Sequence, residues 1–156
     1  MTESPANAGP ASLPQLISQM LDWVVAGLDD HLSSRGFHDL RPTHVINVLR
    51  HIECDGIRPT VLAHRAGMTP QGISELVTHL EHAGYVRRIP DPSDGRARIV
   101  VFAERGEAAA EAAAQYFAEL EDRSARVVGA ERFDDVKTAL GQLLRSGHPC
   151  SAGPSA

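Results

Sequence analysis

Two cysteines in 156 residues, Cys54 and Cys150, are too few and too far apart for a disulfide framework, which points to a reducing, cytoplasmic compartment. Aromatic residues make up only 4% of the chain, so its core is expected to be aliphatic and alanine-rich, a composition that suits packed helices better than a β-sandwich. Lysine is almost missing: of 15 basic residues only Lys137 is not arginine. Contacts to anions would therefore use planar guanidinium forks rather than point charges. No run of about 18 uncharged apolar residues occurs, which excludes a membrane-spanning helix. Met1 to Ser12 has neither a basic start nor an apolar stretch, so no secretory signal is expected.

A net charge of −5 excludes a histone-like polycation, but the charge is unevenly spread. Met1 to Leu40 holds one arginine against five acids, and Gly106 to Ala156 five bases against eight acids. Arg41 to Arg105 holds nine arginines against seven acids, so only the middle third is basic.

Apolar spacing predicts six helices and one hairpin. The first helix runs from Leu13, with Leu16, Met20, Trp23, Val24, Leu28 and Leu32 as its stripe, to Arg35-Gly36. The second runs from Pro42-Thr43 to Ile52. The third starts at Thr60 as N-cap, carries Val61, Leu62 and Ala66, and stops at Gly67. The fourth has Thr69 as N-cap, Pro70 in its first turn, Ile73, Leu76, Val77 and Leu80 on one face, and Gly84 past its end. Tyr85–Ile89 and Arg96–Phe102 read as strands around a longer loop, Pro90–Gly95. An alanine-rich fifth helix, Glu104 to about Arg126, and a sixth after Gly129 complete the order. The fold class is mainly α: short helices followed by a hairpin form a winged helix-turn-helix, flanked by longer helices. The outer face of the fourth helix then carries Gln71, Ser74, Glu75, Thr78 and His79, side chains of the kind that read base edges in a major groove.

The run L-A-H-R-A-G-M-T (Leu62–Thr69), the L-V-x-x-L-E-x-x-G-Y-V run (Leu76–Val86), Arg88, the hairpin D-P-x-D-G-R (Asp91–Arg96) and A-E-R-G (Ala103–Gly106) resemble the MarR family of bacterial regulators. The resemblance implies a homodimer on pseudo-palindromic double-stranded DNA, usually a repressor released by a small molecule or an oxidant. The Pro-, Ala-, Gly- and Ser-rich ends without periodicity read as disordered tails, 1–12 and 146–156, around one domain, 13–145. Within that domain 13–36 and 104–145 would be dimerisation helices and 37–103 the DNA-binding lobe. Arg96 matches the wing arginine that enters a minor groove, with Arg98 beside it, and Asp94 matches the aspartate that structures the wing. Thr60, Thr69, Gln71, Ser74, Thr78 and His79 complete the expected DNA contacts, Thr60 through a helix N-terminus facing phosphate. Glu75 would repel phosphate, so it is expected either to accept from a cytosine amine or, the favoured reading, to pair with a nearby arginine. Family pockets lie between the dimerisation helices and the lobe, which makes Trp23, His38, His44 and Tyr116 candidate lining residues. Family members usually carry threonine where this chain has Ala103, and no cysteine stands in the first helix, so the peroxide-sensing subgroup is not implied.

Other chemistries find less support. His79 with His82, and His51 with Cys54, are spaced as metal-ligand pairs but lack further ligands, so no metal and no cofactor is expected. Arg50, His51 and Arg58 flank Cys54 and would lower its pKa, yet a buried inert cysteine is the commoner case. A metal- or redox-responsive regulator and a helical protein-interaction module are the alternatives, the second leaving the arginine-bearing hairpin unexplained. No nucleophile elbow, phosphate loop or H-E-x-x-H motif is present, and the Asp91 to Asp94 carboxylates sit in a turn, so an enzyme is not expected.

Overall fold

Ser12 opens the first helix through its backbone N–H, which donates to Gln15 Oε1 at 2.9 Å. In the computed structural model, which describes residues 11–53 and 55–147, the order is α1 Leu13–Ser34, α2 Pro42–Asn47, a 3₁₀ turn Leu49–His51, α3 Pro59–Ala66, α4 Pro70–His82, β1 Val86–Asp91, β2 Asp94–Phe102, α5 Glu104–Val128 and α6 Ala130–Gly147. The architecture is the expected one, mainly helical with a two-stranded antiparallel hairpin. Cys54 and most of both expected tails lie outside the described residues. Ser146 and Gly147, expected in the C-terminal tail, continue α6. The chain separates within α5 into two units, residues up to Ala114 and residues from Gln115.

Local chemistry sets the helix ends in the first unit. Gly36 follows α1 at φ +91°, and the Phe37 N–H donates to Leu32 O at 3.0 Å, a Schellman closure. Gly67 repeats it between α3 and α4 at φ +63°, with the Met68 N–H donating to Ala63 O at 3.0 Å. This left-handed residue turns the chain sharply enough for α4 to cross α3. Thr69 caps α4 as expected, its Oγ1 accepting from the Gly72 N–H at 3.1 Å.

Two helix readings need correction. Thr60 is not the cap of α3: Arg58 holds that position, Pro59 follows it, and the Leu62 N–H donates to Arg58 O at 2.9 Å. The second helix does not reach Ile52 as one piece. It leaves helical geometry at Val48, with φ −123° and ψ −66°, and resumes as a 3₁₀ turn. Val45, Ile46 and Val48 put three β-branched residues in four positions, which weakens the helix there.

Leu28, Leu32, Leu40, Val48, Leu62, Ile73, Val77, Leu80, Tyr85, Val86 and Val100 are fully buried and form the core of this unit. Ile73, Val77 and Leu80 are the inward face of α4, which leaves its opposite face to solvent. The hairpin pairs Val86 with Phe102 through Pro90 with Arg98, then slips so that Asp91 faces Asp94. The expected longer loop is therefore a two-residue connection, Pro92-Ser93, and Gly95, Arg96 and Ala97 bulge from β2. Ile57 adds an antiparallel bridge to Val100 on the free edge of β2.

Candidate functional site

Three of the expected reading residues, Gln71, Ser74 and His79, stand exposed on the outer face of α4, and Thr78 is half-buried there. Gln71 Nε2 donates to Glu75 Oε1 at 3.0 Å, so the expected arginine partner of Glu75 is a glutamine one turn earlier. The Thr78 hydroxyl donates to Ser74 O at 2.8 Å. The His79 ring meets that of His44 on α2, with centroids 5.4 Å apart. Burial, and then the charge of His79, hold the His44 imidazole below its ordinary pKa. Its Nδ1 accepts from the Arg41 backbone N–H at 3.2 Å. Thr60 is exposed in the first turn of α3.

The wing is organised by a residue that sequence reasoning gave no separate role. Asp91 is 8% exposed. Its Oδ1 accepts from the Ser93 backbone N–H at 2.8 Å and from Ser93 Oγ at 2.7 Å, and its Oδ2 accepts from Arg58 Nε at 2.7 Å. The two Ser93 bonds, then Arg58, lower its pKa to about 2. These bonds close the two-residue turn and tie it to the start of α3, which accounts for the tightness of the loop. Asp94 is exposed and accepts from the Arg96 N–H at 3.2 Å, with Arg58 3.9 Å away. Arg96 lies in the bulge of β2 and Arg98 opposite Pro90, neither at the tip. Both are exposed, and among the described residues neither side chain has a partner.

Behind this surface, Asp39 is held by two groups. Tyr85 Oη donates to its Oδ1 at 2.6 Å, while Arg105 donates to Oδ1 at 2.7 Å and to Oδ2 at 2.9 Å. Arg105 also donates to Ala83 O at 2.7 Å and stacks 4.4 Å from the Tyr85 ring. Arg105 first, then Tyr85, lowers the Asp39 pKa to about 2, and burial with Asp39 raises that of Tyr85. The A-E-R-G motif thus has a structural content: its arginine clamps the lobe where α4 passes into β1.

The candidate ligand residues are distributed as follows. Trp23 is on the exposed side of α1, His38 is exposed before α2, and His44 faces His79. Tyr116, in the second unit, is buried, with its ring 5.6 Å from that of Phe117. An open cleft of about 950 Å³ lies instead against the hairpin face formed by Arg87, Ile89, Ile99 and Val101, and neither Trp23, His38 nor His44 lines it. Among the described residues no group of three or more His, Cys, Asp or Glu is arranged to hold a metal. No described helix is long and apolar enough to cross a membrane.

Comparison with known proteins finds a match to that family over part of the chain. The MarR family model matches residues 38–97. Solved structures with this fold include MarR from E. coli in its apo form, at 22% identity and TM-score 0.67, covering 88% of this chain and 99% of that one. A complex of S. aureus MepR with DNA has 21% identity and TM-score 0.69 over 88% and 99%. A MarR family protein of Mycobacterium tuberculosis in complex with salicylic acid has 26% identity and TM-score 0.62 over 86% and 97%. No curated protein matches significantly.

Proposed function

We propose that this chain, which carries the fold of the MarR family regulators and that family's segment at 38–97, is a sequence-specific DNA-binding transcriptional regulator acting as a homodimer in the cytoplasm. α4 enters the major groove with Gln71, Ser74, Thr78 and His79 toward the bases, and the wing reaches the adjacent minor groove with Arg96 and Arg98. Thr60 and Thr69 stand toward the backbone, and Asp94 shapes the wing. The observation that carries this reading is the pairing of a capped helix, polar on its outer face, with two exposed arginines that have no partner among the described residues. In a chain of net charge −5 such cations offset a general repulsion from DNA. The DNA complex of the structurally similar MepR supports it.

Dimerisation is supported by apolar side chains that each unit leaves exposed. In the first unit α1 presents Leu13, Leu16, Ile17, Met20 and Leu21, and in the second α6 presents Val136, Leu140, Leu143 and Leu144. Patches of this kind mark interaction surfaces. The regulator acts as a repressor released by a small organic ligand, a reading supported by the salicylic acid complex of the mycobacterial relative. Trp23, His38 and His44 remain the first unit's candidates to meet that ligand, and Tyr116 the second unit's. No enzymatic step is assigned to it. Fluorescence anisotropy with the DNA upstream of its own gene, against scrambled duplex, tests the reading. Equal affinity for both duplexes would refute it.

A further inference from the structure

We infer that Arg88 is a positioning residue for the reading surface, tying the wing to α4 so that helix and hairpin present their contacts as one rigid body. This rests on the DNA-binding reading above. Helix and strand are joined in sequence only through Ala83, Gly84 and Tyr85, yet Arg88 joins them again through space. Its backbone N–H donates to Glu81 Oε1 at 3.0 Å, and its Nη1 pairs with Glu81 Oε2. Its Nη2 donates to Ser74 O at 3.2 Å and to Thr78 Oγ1 at 3.0 Å. Ser74, Thr78 and Glu81 follow one another at i, i+4 and i+7, so a single guanidinium spans two turns of α4 on one side.

The chemistry separates this arginine from the two on the wing. Arg88 is 25% exposed and its charge is met by Glu81, whereas Arg96 and Arg98 stand in solvent. A guanidinium already satisfied by a carboxylate, a carbonyl and a hydroxyl has little left for a phosphate. Thr78 takes a second part beside its place on the reading face: its one proton goes to Ser74 O and one lone pair to Arg88. It works as a joint between helix and strand. The planar fork matters here, because a lysine ammonium at the same place cannot reach Glu81, Ser74 and Thr78 together.

The test compares the wild type with Arg88→Lys. The probes are the duplex that the wild type selects from a randomised pool and a scrambled duplex of equal length. The Lys variant is expected to bind the scrambled duplex with unchanged affinity and salt slope, and the selected duplex about tenfold more weakly, because base contacts depend on placement. Amide exchange of β1 and β2 in the free protein is expected to quicken. Thr78→Val, which removes one anchor and leaves the ion pair, is expected to quicken the same exchange by a smaller factor, a readout taken without DNA, and it carries the test where the Lys variant unfolds. Wild-type discrimination in the Lys variant overturns the inference, as does a salt slope lowered by nearly 2 per dimer, the mark of a lost phosphate contact in each subunit. A wild type that binds both duplexes equally overturns the DNA reading instead. Amide exchange then still decides the tether, and unchanged exchange refutes it.

Discussion

Gly106 lies directly beneath the carbonyl of Tyr85: a Cβ built at position 106 would stand 1.8 Å from that oxygen and 2.8 Å from its carbon. The obstacle is backbone, so no rotamer change relieves it. The same oxygen accepts from the Ala103 N–H at 3.0 Å, and moving it would break that bond at the start of α5. Gly106→Ala is expected to destabilise by about 3 kcal/mol or more. Urea unfolding followed by circular dichroism would check this, and a loss under about 1 kcal/mol would mean the junction is looser than described.

Ala103 gives the opposite opportunity. Its carbonyl accepts from the Gly106 N–H at 2.8 Å and the Glu107 N–H at 3.0 Å, which makes it the N-cap of α5 with no side-chain oxygen to offer. Ala103→Thr, which supplies that oxygen, is expected to stabilise by about 1 kcal/mol. A rise in melting temperature at unchanged DNA affinity is the signature.

Acid should release the Asp39 clamp. Its carboxyl titrates at about 2 instead of 3.8, so the unfolded chain takes up the proton first. The stabilisation is complete above the ordinary carboxylate range and fades as pH falls from 3.8 toward about 2. Asp39→Asn is expected to lower stability at neutral pH and to flatten that acid limb, as read by thermal unfolding across pH. His44 has the same sign at higher pH. Its depressed pKa makes the fold lose stability as pH drops below 6.5, a loss that His44→Gln removes.

Arg96→Ala is expected to weaken DNA binding and to flatten its salt dependence. Each phosphate neutralised contributes about 0.9 to the slope of log affinity against log salt, so one contact per subunit makes nearly 2 per dimer. Helical content should not change, because the bulge is exposed. If affinity and slope both stay at wild-type values, the wing arginine lies away from DNA.

Sedimentation equilibrium should return a mass near twice 16.8 kDa. Leu143, 54% exposed on α6, is a direct handle on it. Leu143→Glu places a charge in the proposed interface and should shift the mass toward the monomer. A wild type that stays monomeric at micromolar concentration while still binding its duplex would remove the dimer.

What the sequence made legible was local. Thr69, Pro70 and Gly84 mark α4 because capping and left-handed turns depend on a few adjacent residues. At the start of α3 the local signal misleads: Thr60 stands just before the apolar run, but proline in the first turn moves the cap back to Arg58. The ties across the lobe left no trace in the sequence. Arg58 and Asp91 are 33 residues apart, Asp39 and Tyr85 46, Asp39 and Arg105 66, and none follows from spacing. Arg88 belongs to a sequence motif, but nothing in that motif marks its partners on α4. The exposed Gln71, Ser74 and His79 were legible as a face because helical period alone puts them there.

The hairpin is held from three directions: Arg58 on Asp91, Arg88 on α4, and Ile57 along the edge of β2. A ligand acting by deforming such a lobe would have to undo three unrelated sets of bonds together. Distance is the freer variable. Two rigid lobes bound to the same side of a duplex must be separated by about one helical turn, roughly 34 Å, and an error of a few ångströms puts one of them out of register. In the proposed dimer, a stiff lobe of this kind would leave the signal to be written as a separation between copies, with each lobe working as a fixed caliper jaw.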